Sequence, residues 1–172
     1  MILELVDRND PILHTPTPEF DFYAAPVNPI ELYQNLAETM LHHNGLGLAA
    51  PQCGLPYRFF VIKSDPVIGM FNCRIVDQSQ ATIVLDEGCL TYPNLFFKVR
   101  RPTAIKVRYE QPDGETKTAE YTGMTARIIQ HELDHVNGVV FLDRISKLER
   151  ERAFIRANKK YGTNYSHFNV NL

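Results

Sequence analysis

Residues 130–135 read Gln-His-Glu-Leu-Asp-His, and no other stretch limits what this chain can fold into as tightly. Two histidines four positions apart share a face only if the backbone is helical, because four residues make close to one helical turn. The surrounding sequence supports that helix. Thr122 or Thr125 can cap its start, Met124, Ile128, Ile129, Leu133 and Val136 keep helical spacing, and Gly138 stands where a left-handed stop is wanted. His131 and His135 then present their imidazoles side by side to a single divalent cation, with Glu132 beside the first as a base. The competing reading is that Glu132 is a solvated helix residue and the histidine spacing an accident of composition. Ile128 and Met124 lie three and seven residues back along the same stripe, so the ion should adjoin an apolar wall that can serve as a substrate pocket.

The chain has 172 residues and 44% apolar content, enough for one compact domain spanning 1–172 around a single core. A net charge of -2 gives no global electrostatic reason to bind nucleic acid or an anionic membrane, and no stretch approaches a membrane span. The opening Met-Ile-Leu-Glu-Leu-Val-Asp does not look like an export or transit segment, so a cytoplasmic address is expected. Three cysteines in such a chain argue against a disulfide framework and leave each thiol free to be buried, reactive or metal-bound.

Prolines at 11, 16, 18, 26 and 29 make the first thirty residues an irregular lead-in, after which Leu32, Leu36, Met40 and Leu41 predict a helix over 29–44. Residues 57–63, 67–76, 81–86, 95–100, 103–110 and 116–121 are rich in strand formers and separated by turn residues, with Gln-Pro-Asp-Gly at 111–114 the clearest hairpin turn. A last helix is predicted from about Arg144 to Tyr161, where Lys147, Arg150, Arg152, Arg156, Lys159 and Lys160 outnumber Glu149 and Glu151. That excess reads either as a solvated face or as a docking surface for RNA or an acidic partner. Together these elements predict an α+β fold: mixed, mainly antiparallel strands around a central helix that carries the two histidines, with one helix towards each terminus.

A catalytic metal site needs a third protein ligand and one open position. Downstream, Glu149 and Glu151 are the weaker candidates. Upstream, residues 86–91 read Asp-Glu-Gly-Cys-Leu-Thr at the end of a strand-like run, where a glycine frees the backbone and presents Cys89. A thiolate with two neutral imidazoles makes a tetrahedral site with room for one water, so Cys89 is the expected third ligand, whereas Cys53 and Cys73 read as small buried hydrophobes. The run Gly45-Leu46-Gly47-Leu48-Ala49-Ala50-Pro51-Gln52 superficially matches a dinucleotide fingerprint, but a helix precedes it, Pro51 interrupts it and a strand follows. Its glycines instead let main chain pass close to a bound peptide, and Gln52 can offer its amide to a carbonyl oxygen at the metal.

Taken together, residues 45–52, Glu87-Gly88-Cys89-Leu90-Thr91 and 130–135 resemble, in order and spacing, the three signature motifs of the peptide deformylases. The similarity extends to Arg101-Pro102 and to residues 138–143, with the two ends matched only loosely. Thr91 stands where the family commonly has Ser, His14 stands where Arg is frequent, and Tyr92, Asn94, Phe96 and Phe97 make the segment after the cysteine unusually aromatic. The resemblance implies that Cys89, His131 and His135 hold one divalent ion, usually Fe2+, with Zn2+, Ni2+ or Co2+ as substitutes. It implies that Glu132 is the general acid and base in removing the formyl group from the initiator methionine of nascent polypeptides, with release of formate.

On that basis Glu132 is expected to take a proton from water and return it to the departing amine, while Gln52 and the Leu90 main-chain N–H steady the developing oxyanion. Met124, Ile128 and Leu46 are expected to line a slot for the methionine side chain, Gly45, Leu46 and Gly47 to pair with peptide main chain, and Glu87 to border the substrate. The expected partners are N-formyl-methionyl peptides and, through the basic last helix, the ribosome, with no membrane and no direct nucleic-acid substrate. Two other readings are a zinc peptidase, which lacks a well-placed downstream Glu, and a structural metal module, which would need His42, His43 or Asp134 to close the site.

Overall fold

The computed structural model describes residues 1–166. After a 3-10 turn at Pro11–His14, the first α-helix, α1 (Pro29–His42), begins where Asn28 Oδ1 accepts from the backbone N–H groups of Ile30 and Glu31, with Pro29 at the first helical position. Leu32, Leu36 and Met40 form its buried stripe, whereas Leu41 faces outward.

Seven strands follow: β1 (Gly47–Ala49), β2 (Phe59–Ile62), β3 (Ile68–Gln78), β4 (Thr82–Cys89), β5 (Tyr92–Pro102), β6 (Ala104–Glu110) and β7 (Thr116–Thr122). Five of them form an antiparallel sheet in the order β1-β2-β3-β6-β7, and β4 pairs with β5 as a separate antiparallel ribbon. Every residue of β2 is buried, and strand alternation sends successive side chains to opposite faces. Phe59 and Val61 join Leu32, Leu36 and Met40 of α1, while Phe60 and Ile62 pack with Ala126, Ile129 and Leu133 on the other side. The sheet is thus held between two helices.

The second of these is α2 (Gly123–Val136), the helix with the paired histidines. Thr122 takes its N-cap position without a side-chain capping bond, and Gly138 adopts φ +71° just past its end, the left-handed stop expected there. Its apolar side buries against the five-stranded sheet, and its polar side, Arg127, His131, Asp134 and His135, is buried as well. The last helix, α3 (Lys147–Tyr161), covers the ribbon: Ala153, Phe154 and Ala157 pack with Leu95, Phe97 and Val99. It starts three residues later than the charge pattern predicts. Ser146 and Glu149 form a reciprocal cap, and residues 141–144 make a separate 3-10 turn.

Residues 45–52, expected to be a loop, are partly regular. Gly47–Ala49 pairs with β2 as the sheet's edge strand, and Ala50–Cys53 closes into a 3-10 turn. Gly47, Leu48 and Ala49 carry no β-branched or aromatic side chain to favour a strand; pairing with β2, eleven to fifteen positions away in sequence, makes this segment extended. Among the described residues no helix is long and apolar enough to cross a membrane.

Candidate metal centre and active site

His131 and His135 project from one face of α2 with ring centroids 5.0 Å apart. Cys89 reaches them from the end of β4, where the register with β5 shifts between Gly88 and Cys89. Such a bulge re-aims the residue that follows it. The Cys89 Sγ lies 3.3 Å from His135 Nε2, and one ligand atom from each of the three residues falls within 4.8 Å of the others. A sulfur and two imidazoles so disposed fit a borderline-soft divalent cation such as zinc or ferrous iron.

The protonation chemistry agrees with that fit. His135, only 1% exposed, is held well below the ordinary histidine range by burial and then by the nearby charges of His131 and Arg101, so its ring is neutral, as a ligand must be. Burial also pulls His131 down, but its hydrogen bonds to Cys89 and Glu87 more than reverse this, and its proton is the one that cation binding would displace. Because His131 Nδ1 meets Glu87 Oε2 at 3.1 Å, Nε2 is the nitrogen left for a cation.

Glu87 is the residue expected to border the substrate. It borders the cavity, yet its carboxylate is 4% exposed and turned to other partners. Oε1 accepts from Arg101 Nε at 2.5 Å and Arg127 Nη1 at 2.6 Å, and Oε2 from Arg101 Nη2 at 2.8 Å as well as meeting His131. Burial alone would raise this carboxyl; Arg101 and His131 hold it at about 2. Asp134, one of the groups weighed as an extra ligand, is also occupied, accepting from Arg101 Nη1 at 3.0 Å and from Arg144. His42 and His43 are exposed at the end of α1. The two buried arginines, Arg101 and Arg127, were not read as site residues from sequence. The extension of the family resemblance to Arg101-Pro102 was the available signal, but only the fold shows that the Arg101 side chain turns inward.

Glu132 is 3% exposed, and its Oε2 has no hydrogen-bond partner among the described residues. Burial pushes its carboxyl up to about 7 against the lowering influence of His131 and Arg101, the range in which one group can both take and return a proton. It stands against β1: a methyl group on Gly47 would sit 2.3 Å from Glu132 Oε1. Gln52, from the 3-10 turn, is pinned on both sides. Its Oε1 accepts from Ala49 N at 2.8 Å, while Nε2 donates to Thr91 Oγ1 at 3.0 Å and lies 3.5 Å from Cys89 Sγ. The hydroxyl of Thr91 therefore orients the amide, a role its place in the motif did not disclose.

Gln52, Glu87, Cys89, His131 and Glu132 border one cavity of about 550 Å3. Gly45, Leu46 and Gly47 form one side, and Leu90, Phe96, Met124 and Ile128 supply apolar surface, with Leu46, Met124 and Phe96 each more than half exposed. The cavity thus joins a sulfur–imidazole cluster, a buried carboxylate and an apolar cleft along an edge strand.

The comparisons with known proteins converge on one family. The model of the polypeptide deformylase family matches residues 2–151. The peptide deformylase of Thermotoga maritima is 39% identical over 145 residues, covering 82% of this chain and 85% of its own. That of Rhizobium meliloti is 36% identical over 167 residues, covering 88% and 95%. Among solved structures, a peptide deformylase from Synechococcus elongatus in complex with actinonin superimposes with a TM-score of 0.81 at 32% identity, covering 91% of this chain and 86% of that one. The peptide deformylase of Ehrlichia chaffeensis gives 0.80 at 34% identity, covering 93% and 97%. The chain belongs to the polypeptide deformylase family, metal-dependent hydrolases that remove the N-formyl group from the initiator methionine of nascent polypeptides.

Proposed function

We propose that Cys89, His131 and His135 hold the divalent ion for this hydrolysis and that Glu132 moves the protons. The observation that carries the reading is the approach of the three donor atoms to within 4.8 Å of one another beside a buried Glu132 oxygen that has no partner among the described residues. A divalent cation bound there supplies Lewis acidity, making water nucleophilic near neutral pH and drawing charge from the formyl oxygen. Glu132 Oε2 accepts the proton that the attacking water sheds and delivers it to the nitrogen of the departing amine as the C–N bond breaks, leaving formate and a free amino terminus. The Gln52 Nε2 amide and the Leu90 main-chain N–H donate to the oxygen on which negative charge accumulates.

We assign the peptide main chain to the outer edge of β1, at Gly45, Leu46 and Gly47, as an added strand. Leu46, Met124 and Ile128 form the slot for the unbranched methionine side chain, their apolar surface favouring its transfer from water. The ion we infer is Fe2+, with Zn2+, Ni2+ and Co2+ as substitutes; the thiolate–imidazole donor set suits them all. On the same reading residues 1–172 act as one catalytic domain in the cytoplasm, and the exposed Lys147, Arg152, Arg156, Lys159 and Lys160 of α3 are assigned to contact with the ribosome.

Formate release from a formyl-methionyl peptide by protein purified anaerobically with iron tests the reading. Glu132→Ala should retain the metal and lose about two or more orders of magnitude in rate, the usual worth of general acid–base help. Cys89→Ala should lose metal. Full turnover by the first variant, or parental metal content in the second, overturns the assignment.

A further inference from the structure

A second cavity of about 420 Å3 is bordered by other residues of α2, Gln130, Leu133 and Asp134, together with Arg74 and Ile75 of β3 and residues 100–102 of β5. Its chemistry is unlike that of the first. Arg58, Arg74, Arg100, Arg101 and Arg144 all border it, against one carboxylate, Asp134. Asp134 is 5% exposed and both its oxygens are engaged, one by Arg101 and Arg144 together and the other by Arg144. Even with Glu87, which takes Arg101 from behind, two carboxylates face five guanidinium groups.

The protein's own partners explain three of these cations. Arg101 and Arg144 hold Asp134, and Arg58 donates to Asn137 Oδ1 at 2.8 Å and to the Cys73 carbonyl at 3.1 Å. Arg100 has only a 3.3 Å bond to Thr82 Oγ1 among the described residues. Arg74 makes no hydrogen bond or ion pair among the described residues, although Glu19 and Glu110 border the small cleft on its other side. The Asn137 oxygen is already used by Arg58, so its amide N–H groups are what that residue has left to offer. Like charges gathered in a concave site are costly unless a counter-charge enters, and the low-dielectric walls focus their field on whatever does.

We propose that this cavity binds a phosphate-type oxyanion, held by Arg74 and Arg100 at its mouth and by the fixed guanidinium groups of Arg58 and Arg144 beneath. A tetrahedral anion with several acceptor oxygens matches planar guanidinium forks in geometry and in charge. The phosphate is either a free small anion or a phosphate of an RNA strand, and none of the residues lining the site belongs to α3.

The test is calorimetric titration of the metal-loaded enzyme with inorganic phosphate, with sulfate and with a five-nucleotide single-stranded RNA, each repeated on Arg74→Ala, Arg100→Ala and the double variant. Saturable binding at one site per chain is expected, weakened roughly tenfold by each substitution, the usual loss for one charge-assisted hydrogen bond. Formate release by these variants should be unchanged, because neither side chain borders the substrate cavity. Binding of the free anions identifies a small-molecule site, and binding of RNA alone, steeply weakened by salt, identifies an RNA phosphate. No saturable binding of any of the three, equal binding by the double variant, or phosphate acting as a competitor of the formyl peptide overturns the proposal.

Discussion

Replacing Gly47 by alanine perturbs the Glu132 carboxylate, proposed above as the proton carrier, with a single methyl group. A Cβ built on Gly47 lies 2.3 Å from Glu132 Oε1 and 2.8 Å from its Cδ and Cγ, distances that real contacts do not tolerate. The backbone of residue 47 does not need glycine's conformational freedom, so the conflict is one of space alone. It must be relieved by retreat of the carboxylate or by displacement of β1, which is tied to β2 through the pairing of Gly47 with Ile62. Either way Glu132 and the strand edge separate by roughly 1 Å, and a misplacement of that size at a catalytic group costs on the order of a hundredfold in rate, equivalent to about 2.7 kcal/mol of barrier. Overpacking should lower folding stability by about 1–3 kcal/mol. The assay is kcat/KM for formate release, with metal content and urea midpoint measured on the same preparation. Metal content should match the parent, since Gly47 is packed against Glu132 rather than the ligands. In the Glu132→Ala background the added methyl should cost little further, because its effect passes through the missing carboxylate. Turnover by Gly47→Ala within twofold of the parent, or a second hundredfold loss in the double variant, would refute the reasoning.

Glu87→Gln should destabilise the fold by about 3–5 kcal/mol, because Arg101 and Arg127 remain buried without their shared counter-charge, and urea denaturation measures the loss. The same variant should weaken metal binding by roughly 10–100-fold in a chelator competition, since the ring of His131 loses the carboxylate that orients it. Burial pushes the Cys73 thiol up to about 12 from an ordinary 9.0. A raised folded pKa means a stability contribution complete below pH 9 and lost as pH climbs towards 12. At pH 10.5 that loss is about 2 kcal/mol, so Cys73→Ala should show a correspondingly smaller drop in urea stability between pH 7 and 10.5 than the parent. At neutral pH Cys73, 1% exposed, should also resist alkylation until the protein unfolds, which mass spectrometry of iodoacetamide-treated protein can check.

Much of the architecture was written in local pattern. Asn28-Pro29 started one helix and Ser146 with Glu149 another, through side chains that satisfy their own neighbours' N–H groups. The six longer strands announced themselves through β-branched and aromatic runs between turns. β1 did not, because Gly47-Leu48-Ala49 is extended only while β2 holds it.

The grouping of Cys89 with His131 and His135 was legible because its chemistry is rare and its spacing helical: His131 and His135 had to share a face, and a thiol after a glycine at a strand end was the natural third donor. Its surroundings were not. Glu87 looked like a rim residue and proved to be a buried anion between two arginines, and Thr91 turned out to steady Gln52. Periodicity reports which face of an element a residue occupies, since that is set by backbone geometry within a few positions. Which charge meets which, across 14 residues from Glu87 to Arg101 or 40 to Arg127, depends on how the ribbon, α2 and the sheet close on one another. That closure belongs to tertiary packing, where burial makes each ion depend on partners distant in the chain.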